Sequence, residues 1–231
     1  KPNRREPVRP FCSLLLLESL GFSQISYCAT VGNRTPEIAV QPWGKVRPGD
    51  FRYKDINGDG QLDNDVLSQI GDAQTPQIIY WIFSNVRYKD FRLDLLFQGA
   101  AKISFYGSGF YDWAFFNNTN VIVDNLDYWT PENTNAKYPR ITNAPTSNNT
   151  QSSSFWMHNA RYLRLKSATF SYTIPLKIIQ KVKIQNVKIF VTGQNLLTWT
   201  KIRNYDPEII DSNGLNYPLM KVVSIGLNVT F

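Results

Sequence analysis

Residues 78–101 read IIYWIFSNVRYKDFRLDLLFQGAA, and this stretch decides the fold. Residues 78–88 are aromatic and β-branched, which is the composition of a strand. Lys89-Asp90 leaves room only for a very tight connection. Residues 91–101 then alternate. Phe91, Leu93, Leu95 and Phe97 share one face, and Arg92, Asp94 and Gln98 share the other, with Leu96 as the exception. A period of two over such a length marks a strand with one apolar face. The signature returns at 161–174 (RYLRLKSATFSYTI), 186–198 (NVKIFVTGQNLLT) and 219–231 (LMKVVSIGLNVTF). In the last of these Val223, Ile225, Leu227 and Val229 oppose Ser224, Gly226, Asn228 and Thr230. Within 161–174 the phase slips, because Leu163 and Leu165 have one parity and Ala168, Phe170 and Tyr172 the other. A bulge near Lys166–Ala168 reconciles them. The expectation is an all-β chain with five main strands joined as an antiparallel meander.

Composition narrows the class. The chain has 231 residues, 25 Lys+Arg against 18 Asp+Glu, a net charge of +7, one His and two Cys. The basic residues are scattered through strands (Arg92, Arg164, Lys166, Lys188, Lys221) rather than clustered, and no RNA-binding aromatic signature is present. Nucleic acid is therefore not an expected partner. No apolar run approaches the ~18 residues of a membrane-spanning helix. A lone histidine, His158, removes most His-based metal sites, and Cys12 and Cys28 cannot make a disulfide framework. A soluble β-sandwich, a lectin and an outer-membrane barrel remain.

Loop lengths separate these. Tight connections near 89–90 and 175–185 alternate with long ones at 48–76, 102–160 and 199–218. Outer-membrane barrels segregate short periplasmic turns from long extracellular loops, with strands of about 10 residues whose apolar side faces lipid. Tyr80, Trp81, Tyr88, Tyr172 and Trp199 lie near strand ends, where an interfacial aromatic girdle sits. Three regions follow. Residues 1–47 have a basic start and a short apolar core at Leu14–Leu17 broken by Glu18; they resemble neither a signal peptide nor barrel strands, and are expected to be mis-framed or disordered. Residues 48–76 form an acidic loop, and 77–231 the barrel segment with its long extracellular loop 102–160.

Seven segments, in order, resemble the SusC/RagA family of TonB-linked outer-membrane transporters. They are PGDFRYKDINGDGQLD (48–63), YKDFRLDLLFQGA (88–100), DYWTPENTNAKYPR (127–140), ARYLRLKSATFSYTIP (160–175), VKIFVTGQNLLTWTK (187–201), YDPE (205–208) and SIGLNVTF (224–231). The resemblance covers about the last 180 residues and implies the C-terminal part of a plugged barrel of about 22 strands. Phe231 resembles the terminal aromatic by which barrel-assembly machinery recognises its clients. The resemblance further implies a Gram-negative outer membrane, import of glycans or peptides, a SusD-like surface lipoprotein as cap, and a TonB–ExbB–ExbD complex as energy source. The plug and TonB box of the family have no counterpart here.

Asp55-x-Asn57-x-Asp59-Gly60-Gln61-x-Asp63 has oxygen ligands at the spacing of an EF-hand loop, which wraps calcium. Asp55, Asn57, Asp59 and Asp63 would ligate through side chains and Gln61 through its carbonyl. Position twelve is Val66, so Asp65 is the closing carboxylate one residue early. The alternative is an Asx-rich turn that needs no ion. Trp113, Tyr128, Trp129 and Trp156, with Tyr111, either stack on sugar rings, pack the long loop or contact a lipoprotein. His158 reads as a loop or lumen residue. Asp206 and Glu208 flank Pro207 and lack the cleft a glycosidase pair needs, so no enzyme activity is expected. Two further readings of the whole chain stay open: a calcium-dependent soluble sandwich adhesin or lectin, and a passive porin-like channel.

Overall fold

The structure, a computed structural model, describes residues 15–22, 39–142, 147–176, 184–209 and 216–231. Eleven strands run along the described chain. The short ones are β1 (Leu15–Leu16), β2 (Ser19–Phe22), β3 (Phe51–Tyr53), β4 (Ser68–Gln69), β7 (Ser104–Tyr106) and β8 (Met157–Asn159). The long ones are β5 (Ile78–Tyr88), β6 (Phe91–Ala101), β9 (Tyr162–Thr173), β10 (Asn186–Thr200) and β11 (Val222–Thr230). No helix among the described residues is long and apolar enough to cross a membrane, which says nothing of strands.

The long strands form one open five-stranded sheet in the order β11-β10-β9-β6-β5, every neighbour antiparallel. Chain order and spatial order coincide, as the meander expectation requires. Lys89, with φ of 52°, makes the two-residue β5–β6 turn. The phase slip in β9 is resolved as foreseen. Leu96 pairs Ser167 and Phe97 pairs Leu165, so Lys166 is an extra residue that returns both halves of β9 to a common face. Strand β10 answers with its own irregularity between Gln194 and Leu197.

Register then fixes two faces. Rows across the sheet read Leu93, Phe170, Val191, Ile225 and Phe97, Leu165, Leu197 on one side. Gln98, Arg164, Thr198 and Asp94, Thr169, Thr192, Ser224 lie on the other. The apolar rows are open: Val223 is 66%, Ile225 79% and Leu227 63% exposed. Leu96 remains the apolar exception on the polar side, where its cross-strand partner is Phe83. That side is also where Trp81 lies, opposite Gln98, so Trp81 leaves the proposed girdle. Tyr80, Tyr88, Tyr172 and Trp199 stay on the apolar face.

A second unit is built from the described residues between Leu15 and Thr75 together with the described residues of Ser104–Asn159. Its core gathers Leu17, Phe51, Tyr53, Leu62, Val66, Tyr138 and Trp156. β1 pairs β4, β2 pairs β3 and β7 pairs β8, all antiparallel. Within 1–47, Leu16 and Leu17 are buried and β2 is hydrogen-bonded, so these residues are built into the unit. Residues 1–14 and 23–38 lie outside the described residues.

Candidate functional site

The loop unit is held by a buried polar network that starts at Asp50. This carboxylate is fully buried. Arg140 Nε donates to Oδ1 at 2.6 Å, Asn149 Nδ2 to the same oxygen at 2.8 Å, and the Arg47 amide to Oδ2 at 2.8 Å. A buried charge survives only when paired and hydrogen-bonded, and Asp50 has both. Gln41 continues the network: its amide donates to the Phe51 carbonyl at 3.0 Å and to Asn148 Oδ1 at 2.9 Å, while its Oε1 accepts the Tyr53 amide at 3.0 Å. The Tyr53 hydroxyl donates to the Asn148 carbonyl at 2.7 Å. Burial pushes the Tyr53 phenol, and more modestly that of Tyr106, above the ordinary value. These bonds join residues 41–53 to 138–156 across about 100 positions of sequence, and give the long loop a core.

The acidic loop 55–65 closes on itself. Asp55 Oδ1 accepts from the Gly58 amide at 2.7 Å and Oδ2 from the Gly60 amide at 2.8 Å. Asn57 Oδ1, Asp59 Oδ1 and Asp63 Oδ1 accept from the amides of Asp59, Gln61 and Asp65 at 3.3, 2.8 and 2.8 Å. These are Asx turns, which hold such a loop without an ion. Among the described residues no three His, Cys, Asp or Glu side chains converge closely enough to hold a metal.

The aromatic candidates part ways. Trp156 is buried against Phe51, Tyr138 and Phe155, and its Nε1 donates to the Asn149 carbonyl at 2.9 Å. Trp129 is buried with its ring against Gly49, where a β-carbon would collide with it. Neither offers a ring face to solvent, so both pack the loop. Tyr111 is buried as well, edge-on to Phe105. Trp113 is half-buried and Tyr128 borders on exposed.

His158 Nε2 lies 2.5 Å from Oδ2 of the buried Asp112, stacked on Phe105. Desolvation raises the Asp112 carboxyl, and the His158 hydrogen bond partly offsets this.

In the sheet, Asp206 and Glu208 sit against strand β9 instead of facing a cleft. Arg164 Nη2 lies 2.6 Å from Asp206 Oδ1 and its Nη1 3.3 Å from Glu208 Oε1, while Nε donates to Thr198 Oγ1 at 3.0 Å. Lys166 Nζ completes the group at 3.0 Å from Glu208 Oε2. Both carboxylates are thereby neutralised by cations of the polar face. The sequence put Arg164 and Lys166 in a strand but did not show this pairing. Its signal was the two-residue spacing shared by Arg164-x-Lys166 and Asp206-x-Glu208. Phe231 is 80% exposed just past β11.

Such a sheet, apolar and open on one side and charged on the other, is part of a transmembrane outer-membrane β-barrel. No family model matches the chain. It is 30% identical over 220 residues to TonB-dependent receptor P3 of Formosa agariphila, covering 87% of this chain and 21% of that protein. Receptor P26 of the same organism is 28% identical over 197 residues, covering 79% and 20%. The chain thus spans about a fifth of the length of the curated relatives it matches. Among solved structures, the RagAB peptide transporter superposes with a TM-score of 0.68 at 20% identity, over 95% of this chain and 23% of that one. The closed-closed state of the RagAB peptide importer gives 0.67 at 21% identity, over 95% and 23%. Over most of its length the chain therefore corresponds to part of a TonB-dependent receptor barrel, and the SusC/RagA resemblance read from the sequence holds.

Proposed function

We propose that this chain is part of a TonB-dependent importer of glycans or peptides in a Gram-negative outer membrane. A SusD-like lipoprotein caps it from outside, and TonB–ExbB–ExbD drives it from the inner membrane. The observation that carries the reading is the spacing of aromatics on the apolar face. Tyr88, Phe91 and Tyr172 form one cross-strand row, and Tyr80 and Trp199 flank Gly99 and Leu163 in another. Eight residues separate Tyr80 from Tyr88, about 27 Å of strand. At a tilt of about 40° this is ~21 Å along a barrel axis, close to the ~25 Å apolar band between girdles of outer-membrane barrels. A sandwich core would instead bury that face.

Named structures of a peptide transporter support the peptide arm of this reading, since their fold is shared. Calcium at Asp55, Asn57, Asp59, Gln61, Asp63 and Asp65 belongs to the proposal as a stabiliser of the extracellular loop; titration calorimetry with calcium and an Asp55→Ala control tests it. The import reading is tested in the source bacterium with an affinity tag on this protein. The tag should fractionate with outer membranes and retain a surface lipoprotein on detergent extraction. Uptake of the cognate nutrient should stop when either this gene or tonB is deleted. Uptake that persists without TonB would favour the passive channel, and recovery of the tagged protein in the soluble fraction would favour the sandwich.

A further inference from the structure

We propose that residues 201–209, the start of the β10–β11 connection, are a strap clamped inward on the lumen face of β9, and that the strap opens from its Glu208 end. The mark of the clamp is burial on an otherwise open face. Arg92 and Arg164 both lie on the polar side of the sheet. The Arg92 side chain is 50% exposed, whereas that of Arg164 is 2% exposed, because Asp206 and Glu208 close on it. Of the import reading, the clamp needs only that this polar face lines a lumen.

The strap is shaped for its partners before it meets them. The Ile209 amide donates to the Asp206 carbonyl at 3.1 Å, closing a turn with Pro207 at its second position, where proline sets the backbone in advance. The Glu208 amide donates to Asp206 Oδ1 at 3.0 Å, and both carboxylates leave this turn toward β9. Ile202 and Pro207 are buried and seat the strap at two further points. The two ends of the clamp differ in strength. Asp206 holds Arg164 Nη2 at 2.6 Å. Glu208 stands 3.3 Å from Arg164 Nη1, which makes no hydrogen bond, and otherwise reaches Lys166, whose side chain is 32% exposed. An ion pair within reach of water contributes little, whereas breaking a buried one leaves an uncompensated charge. Opening therefore begins at Glu208, and the strap lifts fully only when Asp206 lets go. Lifting rehydrates Arg164 without breaking a backbone hydrogen bond of the five-stranded sheet, so the strap moves while the wall stays.

Trypsin reads the strap directly, because Lys201 and Arg203 are exposed and lie within it. Cleavage tracks the population of the open form when opening and closing are fast. The complete protein in detergent should be cut slowly after Lys201 and Arg203. Asp206→Asn combined with Glu208→Gln should raise that rate at least ~10-fold, and Glu208→Gln alone should raise it by less. Asp94→Asn, which breaks the exposed pair with Arg92 on the same face, should leave the rate unchanged. The folded band on unboiled gels should melt at the wild-type temperature in all three variants. Should the double variant give no folded band, Glu208→Gln and Lys166→Met carry the test, each speeding cleavage of a folded barrel. Wild-type cleavage as fast as in the boiled chain, wild-type rates in the folded variants, equal acceleration by Asp94→Asn, or a lowered barrel melting with unchanged cleavage would each overturn the clamp. Neither TonB nor a nutrient enters the assay. Failure of the import reading therefore leaves its outcome standing, and an unclamped strap leaves import standing.

Discussion

Asp50 and Arg140 stand 90 residues apart in sequence and 2.6 Å apart in the loop unit. Each lies in a quoted motif, PGDFRY and YPR, but nothing in either motif says that they meet. Alternation shows which face a strand residue takes, whereas loop packing depends on contacts no local pattern encodes. Trp129 and Trp156 went the same way: an aromatic in a long loop reads alike whether it stacks on a ligand or fills a core. Removing one partner of a buried pair leaves the other uncompensated, a loss of about 3–5 kcal/mol. Asp50→Ala should therefore lower the melting of the loop unit, read by tryptophan fluorescence, far more than Asp59→Ala in the exposed Asx turn. Alkali probes the same core. Tyr53 and Tyr106 have folded pKa values raised above the ordinary 10 by burial. Their contribution to stability is complete below pH 10 and is lost as pH rises from there toward the folded values. Absorbance at 295 nm should show most tyrosines ionising near pH 10 and a delayed fraction appearing only as the unit unfolds. Tyr53→Phe should shrink that fraction, and its persistence unchanged would contradict the assignment.

At the scale of the element, the strands were the most legible part. Ile78–Tyr88 and Phe91–Ala101 occupy the ranges their alternation indicated, and β9 carries its bulge at Lys166. Ends differ by up to three residues where loops take over, as at Val222. Glycines in the strands have a reason the pattern alone did not supply. Gly99 on β6 faces Tyr80, and Gly226 on β11 faces Phe190; a β-carbon at either would collide with the opposite ring. Each aromatic lies over the bare backbone of its glycine partner, the rescue that strand glycines use. Gly226→Ala should force Phe190 aside at about 1–3 kcal/mol, the range for overpacking. The check is the temperature at which the complete barrel loses its fast-migrating folded band on unboiled gels. A larger loss for Gly226→Ala than for Ser224→Ala, two residues along the same face, is expected.

At the scale of the molecule, the five-stranded sheet has two free edges. β5 and β11 each have one neighbour in it, and no described strand pairs β5 with β11. Bacterial single-chain barrels start at eight strands, so five cannot close. An unpaired edge presents a row of N–H and C=O groups that templates further pairing. Here the hazard is doubled by the apolar face, where Phe91, Phe170, Ile189, Val191, Leu197, Ile225 and Leu227 are all exposed. Soluble monomers rarely carry contiguous apolar patches beyond a few hundred Å², and this one extends across all five strands. The loop unit is the opposite case, with its own core and the buried hydrogen-bond network around Asp50 and Gln41. The 231-residue chain expressed alone should therefore enter inclusion bodies, and on refolding should stay dispersed only in detergent or lipid. Cysteines placed at Ile225 and Ser224 in bilayers give the face: a lipid-soluble maleimide should label the first, and a water-soluble one the second. Gel filtration without detergent decides the larger question. Aggregate in the void volume is the expected result, because among the described residues no strand pairs with the outer edge of β5 or β11 and the apolar face is exposed. A sharp monomeric peak that melts cooperatively would mean that the face is buried within the chain itself, and the barrel reading would give way to a soluble sandwich.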